Sequence, residues 1–199
     1  MKKSIDWVQA AAQDLVEHAV VIDTETTGLG ENDTVVELAV VGAKSREVIF
    51  DNLIVPYSPC HPAAAKTHGI DMEAATRTGR EPHSALVEVI GLTPQKRLTA
   101  YNMVFDRRLL LQTAYASGVS KTVISELISR SEERSCIMEL ANRYFYEHLE
   151  WDHEKSCFKR LSLERCLEIA GIEREGIAHR ALSDALAATD LLRFIAGED

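Results

Sequence analysis

An apolar run, Ala19-Val20-Val21-Ile22, leads directly into Asp23-Thr24-Glu25. The run has the make-up of a short buried β-strand. Alternate residues of a strand share a face, so the two carboxylates project together from its end. Neighbouring carboxylates in a dry place repel and are costly to ionise. A divalent cation removes that cost, and magnesium in particular takes carboxylate oxygens together with phosphate and water. Two solvated acids at a strand end would carry the same pattern, so Asp-x-Glu alone leaves both readings open. Thr27-Gly28-Leu29-Gly30 then breaks the strand. Gly28 permits a close backbone approach or a positive φ.

The order of elements around this strand sets the fold class. Ile5, Val8, Ala12, Leu15 and Val16 form one apolar stripe, which predicts an N-terminal helix over about residues 4–17. After the first strand, Thr34 to Ala43 reads as a second, with Val35, Glu37, Ala39 and Val41 on one face. Glu47 to Val55 reads as a third, ended by Pro56 and Pro59. The turn at Lys44-Ser45-Arg46 makes strands two and three an antiparallel hairpin, and strand one pairs with strand two the same way. Helices are expected over 63–68 and 84–91, then a short fourth strand, Leu98 to Tyr101, and a helix from Phe105 to about Ser117. Two or three helices fill 121–150, and 150–160 reads as an irregular loop. Leu161 to Ala170 and Arg180 to about Ala196 complete the chain as helices. The expectation is one α/β domain over residues 1–199, a mixed central β-sheet flanked by helices.

The 199 residues carry a formal charge of −9, which argues against a broad phosphate-binding surface. Cys60, Cys136, Cys157 and Cys166 include no C-x-x-C pair and read as free buried thiols of a reducing cytoplasm. No apolar run approaches the ~18 residues of a membrane span, and acids interrupt the N-terminal helix, so no signal peptide is expected.

Two further motifs complete the pattern. Ala100-Tyr101-Asn102-Met103-Val104-Phe105-Asp106 brings an acid to a helix start beyond a strand end. Ala178-His179-Arg180-Ala181-Leu182-Ser183-Asp184 sets a histidine five residues before an acid. With Val21 to Gly28, these resemble, in order, the three motifs of the DnaQ-like, or DEDD, 3′→5′ exonucleases of the RNase H-like superfamily, in their histidine-containing form. Thr67-His68-Gly69-Ile70 resembles a segment common in proofreading-type members. The match runs from residue 19 to 195, and three ordered motifs on fitting elements are a specific signal.

The resemblance implies that Asp23, Glu25, Asp106 and Asp184 hold two divalent ions, Mg²⁺ or Mn²⁺, and that His179 is the general base. Two ions can activate water on one side of a phosphodiester and stabilise the leaving oxygen on the other, while histidine titrates near neutrality. On one ideal helix His179 and Asp184 would stand about 140° apart. His179 is therefore expected in the loop entering the last helix, with Asp184 in its first turns. The resemblance further implies that Thr26, Gly28 and Leu29 seat the 3′-terminal nucleotide, with Asn102, Phe105 and His68 as pocket residues. Tyr101 stands where many members have histidine, which bears on substrate preference. Glu37 matches a common family acid and is expected to be structural. Arg107 and Arg108 could meet phosphates.

Within 147–160, His148, His153 and Cys157 lack a fourth zinc ligand. Trp151 and Phe158, interleaved with Lys155, Lys159 and Arg160, could stack on nucleic acid; anchoring aromatics of a surface loop are the simpler reading. The expected partner is a nucleic acid 3′ end, single-stranded DNA first, with no membrane; a homodimer or a polymerase partner stays open. RNA 3′-end trimming, or a catalytically silent nucleic-acid-binding scaffold, would use the same fold. With so little basic surface, a short 3′-terminal grip and distributive action are expected.

Overall fold

The computed structural model describes residues 2–131 and 136–198, with side chains from Asp6 onward. The predicted stripe member Ile5 therefore lies outside the described side chains, as do residues 132–135 of the predicted helical stretch. The chain opens with α1 (Lys2–His18), β1 (Ala19–Thr26), β2 (Val35–Gly42) and β3 (Val48–Leu53). It continues through α2 (Pro62–His68), α3 (Met72–Thr78) and α4 (Pro82–Leu92) to β4 (Arg97–Thr99). Then come α5 (Met103–Ser117), α6 (Lys121–Arg130), α7 (Ile137–Tyr144), β5 (Trp151–Asp152) and β6 (Cys157–Phe158). The helices α8 (Leu163–Ala170) and α9 (Ala181–Ala196) close it.

The main sheet has the order β3-β2-β1-β4. β1 and β3 run antiparallel to β2, and β4 runs parallel to β1, so the sheet is mixed as expected. A parallel neighbour requires a crossover, and α2, α3 and α4 supply it between β3 and β4.

β1 is buried on both faces, and its parity divides the molecule. Val21 joins the core beneath α1, α7 and α9. Val20 and Ile22 join the core beneath α4, α5 and α6. By the two-residue period of a strand, Asp23 and Glu25 continue the Val21 side, and Thr24 continues the Ile22 side. Val8, Ala12, Leu15 and Val16 of α1 pack into the α9 core, and Gln9 and Gln13 donate to the last carbonyl of α9, Ala196 O, at 3.2 and 3.0 Å. Where α9 begins, Ala181 and Ala185 meet Ala39 and Val41 of β2. Three alanines at this contact let the helix start close against the sheet.

Some elements depart from expectation. The segment 150–160 is not wholly irregular: β5 and β6 pair antiparallel within it. Two-residue strands are too short to show an alternation. The helix α3 was not foreseen; its seven residues span two turns, and Asp71 caps it by accepting from Glu73 N and Ala74 N. α8 begins two residues later than predicted because Ser162 is its N-cap. The cysteines are free, but only Cys136 and Cys166 are buried, and Cys157 is exposed. No described helix is long and apolar enough to cross a membrane.

The alanine contact is testable. Ala185→Leu forces extra methylenes between α9 and β2, which costs about 1–3 kcal/mol. We expect a lower urea midpoint at unchanged slope, whereas Leu182→Ala, on a half-buried side chain, costs less.

Candidate active site

The five residues singled out by the motifs come together. Asp23, Glu25, Asp106, His179 and Asp184 all line one cleft of about 450 Å³. Carboxylate or ring-nitrogen atoms of Glu25, His179 and Asp184 lie within 4.8 Å of one another. Asp23 and Glu25 come from β1. Asp106 comes from the first turn of α5, is only 4% exposed, and accepts a hydrogen bond from Thr24 Oγ1 at 2.9 Å. Thr24 thus joins the two carboxylates of β1 to the acid of α5 across the strand. Asp184 sits in the first turn of α9, and His179 precedes that helix with φ of 61°. The left-handed backbone at His179, unusual for a non-glycine residue, turns its ring off the helix path, so the loop placement read from spacing is the one observed.

Packing these acids together raises their proton affinity. Burial, then Asp184, Glu37 and Asp106, push Glu25 up to about 8. Burial pushes Asp106 up to about 7, against the opposing Thr24 hydrogen bond. Asp23 lies well above the usual carboxylate range through burial and then the charges of Asp106 and Asp184. Asp184 is also raised by burial, opposed by Arg174 and His179. A cluster of buried oxygen donors that ionise reluctantly without a counter-charge fits a hard divalent cation. Among the described residues, Glu25, His179 and Asp184 form a group close enough to share one ion.

Two arginines missed from sequence hold the site. Arg174 pairs with Asp184 and, at 2.8 Å, with Glu164 of α8. Arg180 pairs with Glu37, whose carboxylate also accepts from Ala181 N at 2.9 Å. Glu37 stands opposite Glu25 in the β1–β2 register. Its buried carboxylate therefore caps α9 and pins the residue after His179, the structural role expected for it. Arg174 carries no motif signal. It lies ten residues from both Asp184 and Glu164, in the stretch between α8 and α9, where no helix or strand period signals the pairing.

A second cleft, of about 610 Å³, adjoins the first and shares Thr24, Glu25 and Phe105 with it. Thr26, Gly28, Leu29 and His68 line this second cleft, whereas Asn102 lines the acid cleft. Leu29 is 75% exposed over it. Gly28 is required by close approach: a Cβ there would stand 2.6 Å from Asp33 Oδ2. That carboxylate accepts from Gly30 N at 2.6 Å and from Thr27 Oγ1 at 2.7 Å. Arg108 donates to the carbonyls of Leu29 and Gly30, so it braces this loop. Thr26 Oγ1 donates to Gly28 O at 2.9 Å. His68 is buried, and its Nδ1 accepts from Ile70 N at 3.0 Å, which leaves the proton on Nε2. Tyr101 donates its hydroxyl to Leu161 O at 2.6 Å and so anchors the wall of the acid cleft.

The exonuclease family model, RNase T, matches residues 20–192. An uncharacterized exonuclease of Escherichia phage 186, CP81, is 30% identical over 181 residues, spanning 88% of this chain and 87% of that one. Among solved structures, E. coli exonuclease I in complex with a dT13 oligonucleotide superposes with a TM-score of 0.66 at 19% identity, over 88% of this chain. A second exonuclease I structure gives 0.67 at 21%. The chain spans about 40% of the length of those exonuclease I chains. With four motif acids and a histidine gathered at one end of an RNase H-like sheet, the chain belongs to the RNase T family of DnaQ-like exonucleases.

Proposed function

We propose that this protein is a metal-dependent 3′→5′ exonuclease of the histidine-containing DEDD type, removing nucleoside monophosphates from single-stranded DNA ends. The observation that carries the reading is the single cleft lined by Asp23, Glu25, Asp106, His179 and Asp184, opening beside a second cleft with exposed Leu29 and shared Phe105. The oligonucleotide complexes of exonuclease I support DNA as the substrate class.

Asp23, Glu25, Asp106 and Asp184 would hold two Mg²⁺ or Mn²⁺ ions. When bound, such ions supply an activated water and charge stabilisation at the phosphoryl oxygens. The chain's own residues do the rest. Leu29 and Phe105 give apolar walls to the terminal nucleoside; the loop braced by Asp33 and Arg108 keeps Leu29 in place, and α5 holds Phe105. His179 takes the proton of the attacking water; the nearby Glu25 and Asp184 carboxylates stabilise the imidazolium so formed. Water adds across the P–O3′ bond. The shortened strand keeps a 3′-hydroxyl, and the released nucleotide keeps a 5′-phosphate.

The deciding assay follows 5′-labelled single-stranded DNA, duplex DNA and RNA with Mg²⁺ or Mn²⁺, with and without EDTA. We expect a ladder shortening from the 3′ end on single-stranded DNA, abolished by EDTA and by Asp23→Ala. Preferential cutting of RNA would move the protein to 3′-end trimming, and no cutting of any strand would leave a silent scaffold. His179→Ala should lower kcat about 10²–10⁴-fold while oligonucleotide affinity in EDTA stays near wild type.

The raised carboxyl groups also predict a linkage. Glu25 holds its proton in the folded chain up to about 8, whereas its unperturbed value is 4.5. Between those values the folded chain binds more protons than the unfolded one, so the metal-free protein loses stability as pH rises. Divalent ions bind the ionised form, so the Tm gain on adding Mn²⁺ should be larger at pH 8 than at pH 6. A gain independent of pH would remove these carboxylates from the metal site.

A further inference from the structure

The β5–β6 ribbon exposes two large aromatic rings beside the acid cleft. Trp151 and Phe158 face each other across the two strands, with ring centroids 5.0 Å apart and planes at 84°. They remain 46% and 57% exposed, and neither belongs to any of the buried clusters. The rings therefore serve no core.

The ribbon is built to hold its place. Asp152 Oδ1 accepts from Glu154 N and Lys155 N at 3.0 and 3.1 Å, which shapes the turn. At its root, Leu161 N donates to Asn142 Oδ1 at 2.9 Å and Leu161 O accepts from Tyr101 at 2.6 Å. Leu161 and its neighbour Arg160 line the cleft that holds the four acids. Arg160 is the one lysine or arginine among that cleft's lining residues. Arg160 meets Glu139 at 3.6 Å, both groups well exposed, and Lys159 meets Glu150 in the same loose way. Exposed pairs of this kind are worth little and exchange readily for a phosphate. Of the ribbon's acids, Asp152 is committed to the turn, Glu150 meets Lys159 loosely, and Glu154 is exposed in the turn, away from the ribbon's root at Arg160.

We propose that the ribbon is a single-strand-binding arm. Trp151 and Phe158 stack on bases, and Arg160 contacts a backbone phosphate, of the strand segment 5′ of the terminal nucleotide. The inference rests on the exonuclease reading and deepens it by naming single-stranded nucleic acid as the occupant. Stacking is tolerant of base identity, so the arm adds grip without sequence preference. It also gives this acidic chain a hold beyond the terminal nucleotide that its net charge hides.

The test measures binding in EDTA, where no strand is cut, with fluorescein-labelled dT12. Trp151→Ala/Phe158→Ala should raise Kd roughly tenfold or more. The same variant should keep wild-type kcat on a dinucleotide too short to reach the arm. Arg160→Ala should reduce the salt dependence of binding by about one phosphate contact. A readout that leaves the ribbon intact uses Trp7→Phe, in which Trp151 is the one remaining tryptophan. We expect dT12 to quench its emission. Wild-type Kd in the double variant, or unchanged emission on saturation, overturns the arm. So does a loss of dinucleotide turnover equal to the loss of dT12 affinity, which makes the rings structural. Conversion of a wild-type dimer to a monomer by the double variant, with dT12 binding intact, overturns it in favour of a second copy. An inactive wild type that still binds dT12 through these rings overturns the exonuclease reading alone.

Discussion

Four carboxylates gathered at one end of a buried strand repel one another, and much of the surrounding structure counters that repulsion. A sheet end is a dry place, and like charges there shift their proton affinity upward before they ionise together. Burial is the largest cause for each of the four. The partners that offset it come from different directions. Thr24 reaches Asp106 from the opposite face of β1. Arg174 reaches Asp184 from the loop before α9. Arg180 neutralises Glu37, which would otherwise add a fifth buried charge facing Glu25. The alanines where α9 meets β2 let this assembly close tightly enough to bring donor atoms of Glu25, His179 and Asp184 within 4.8 Å of one another.

Much of this was readable in the chain because it depends on short-range rules. Strand parity alone assigns Asp23 and Glu25 to one face; helix geometry removes His179 from the helix that carries Asp184 once the resemblance puts both in one site. The apolar stripe of α1 and the run of β1 follow from periodicity. What stayed hidden depends on contacts between segments far apart in sequence. Glu37 and Arg180 are separated by 143 residues, and nothing in either neighbourhood signals the pair. Gly28 shows the intermediate case. Its sequence context offers a positive φ or a close approach, and only the position of the Asp33 carboxylate decides for the second. The β5–β6 ribbon is invisible to periodicity because each strand has two residues, although the Trp151 and Phe158 that define it stood out by type.

The −9 charge takes on a different meaning once the site is in view. Four of the negative charges are the cleft acids, and two divalent ions bound there would bring the complex to −9 + 4 = −5. Attraction for a phosphate then arises at the ions and not across a basic surface. Cations elsewhere are mostly engaged: Arg108 on loop carbonyls, Arg174 on acids, Arg180 on Glu37. Arg160, loosely paired with Glu139, is the cation that lines the acid cleft itself.

The two clefts share a wall, and on the proposed reading that wall would couple recognition to chemistry. Glu25 and Phe105 line both. Phe105 is the residue before Asp106 on α5, and the same helix sends Arg108 to the loop that carries Leu29. A nucleoside seated between Leu29 and Phe105, as proposed, would lie against the helix that holds Asp106. Any displacement of α5 moves the seat and the acid together. On that reading, fit of the terminal nucleotide and placement of its phosphodiester would become a single geometric condition, which is what an enzyme acting only at a strand's end requires.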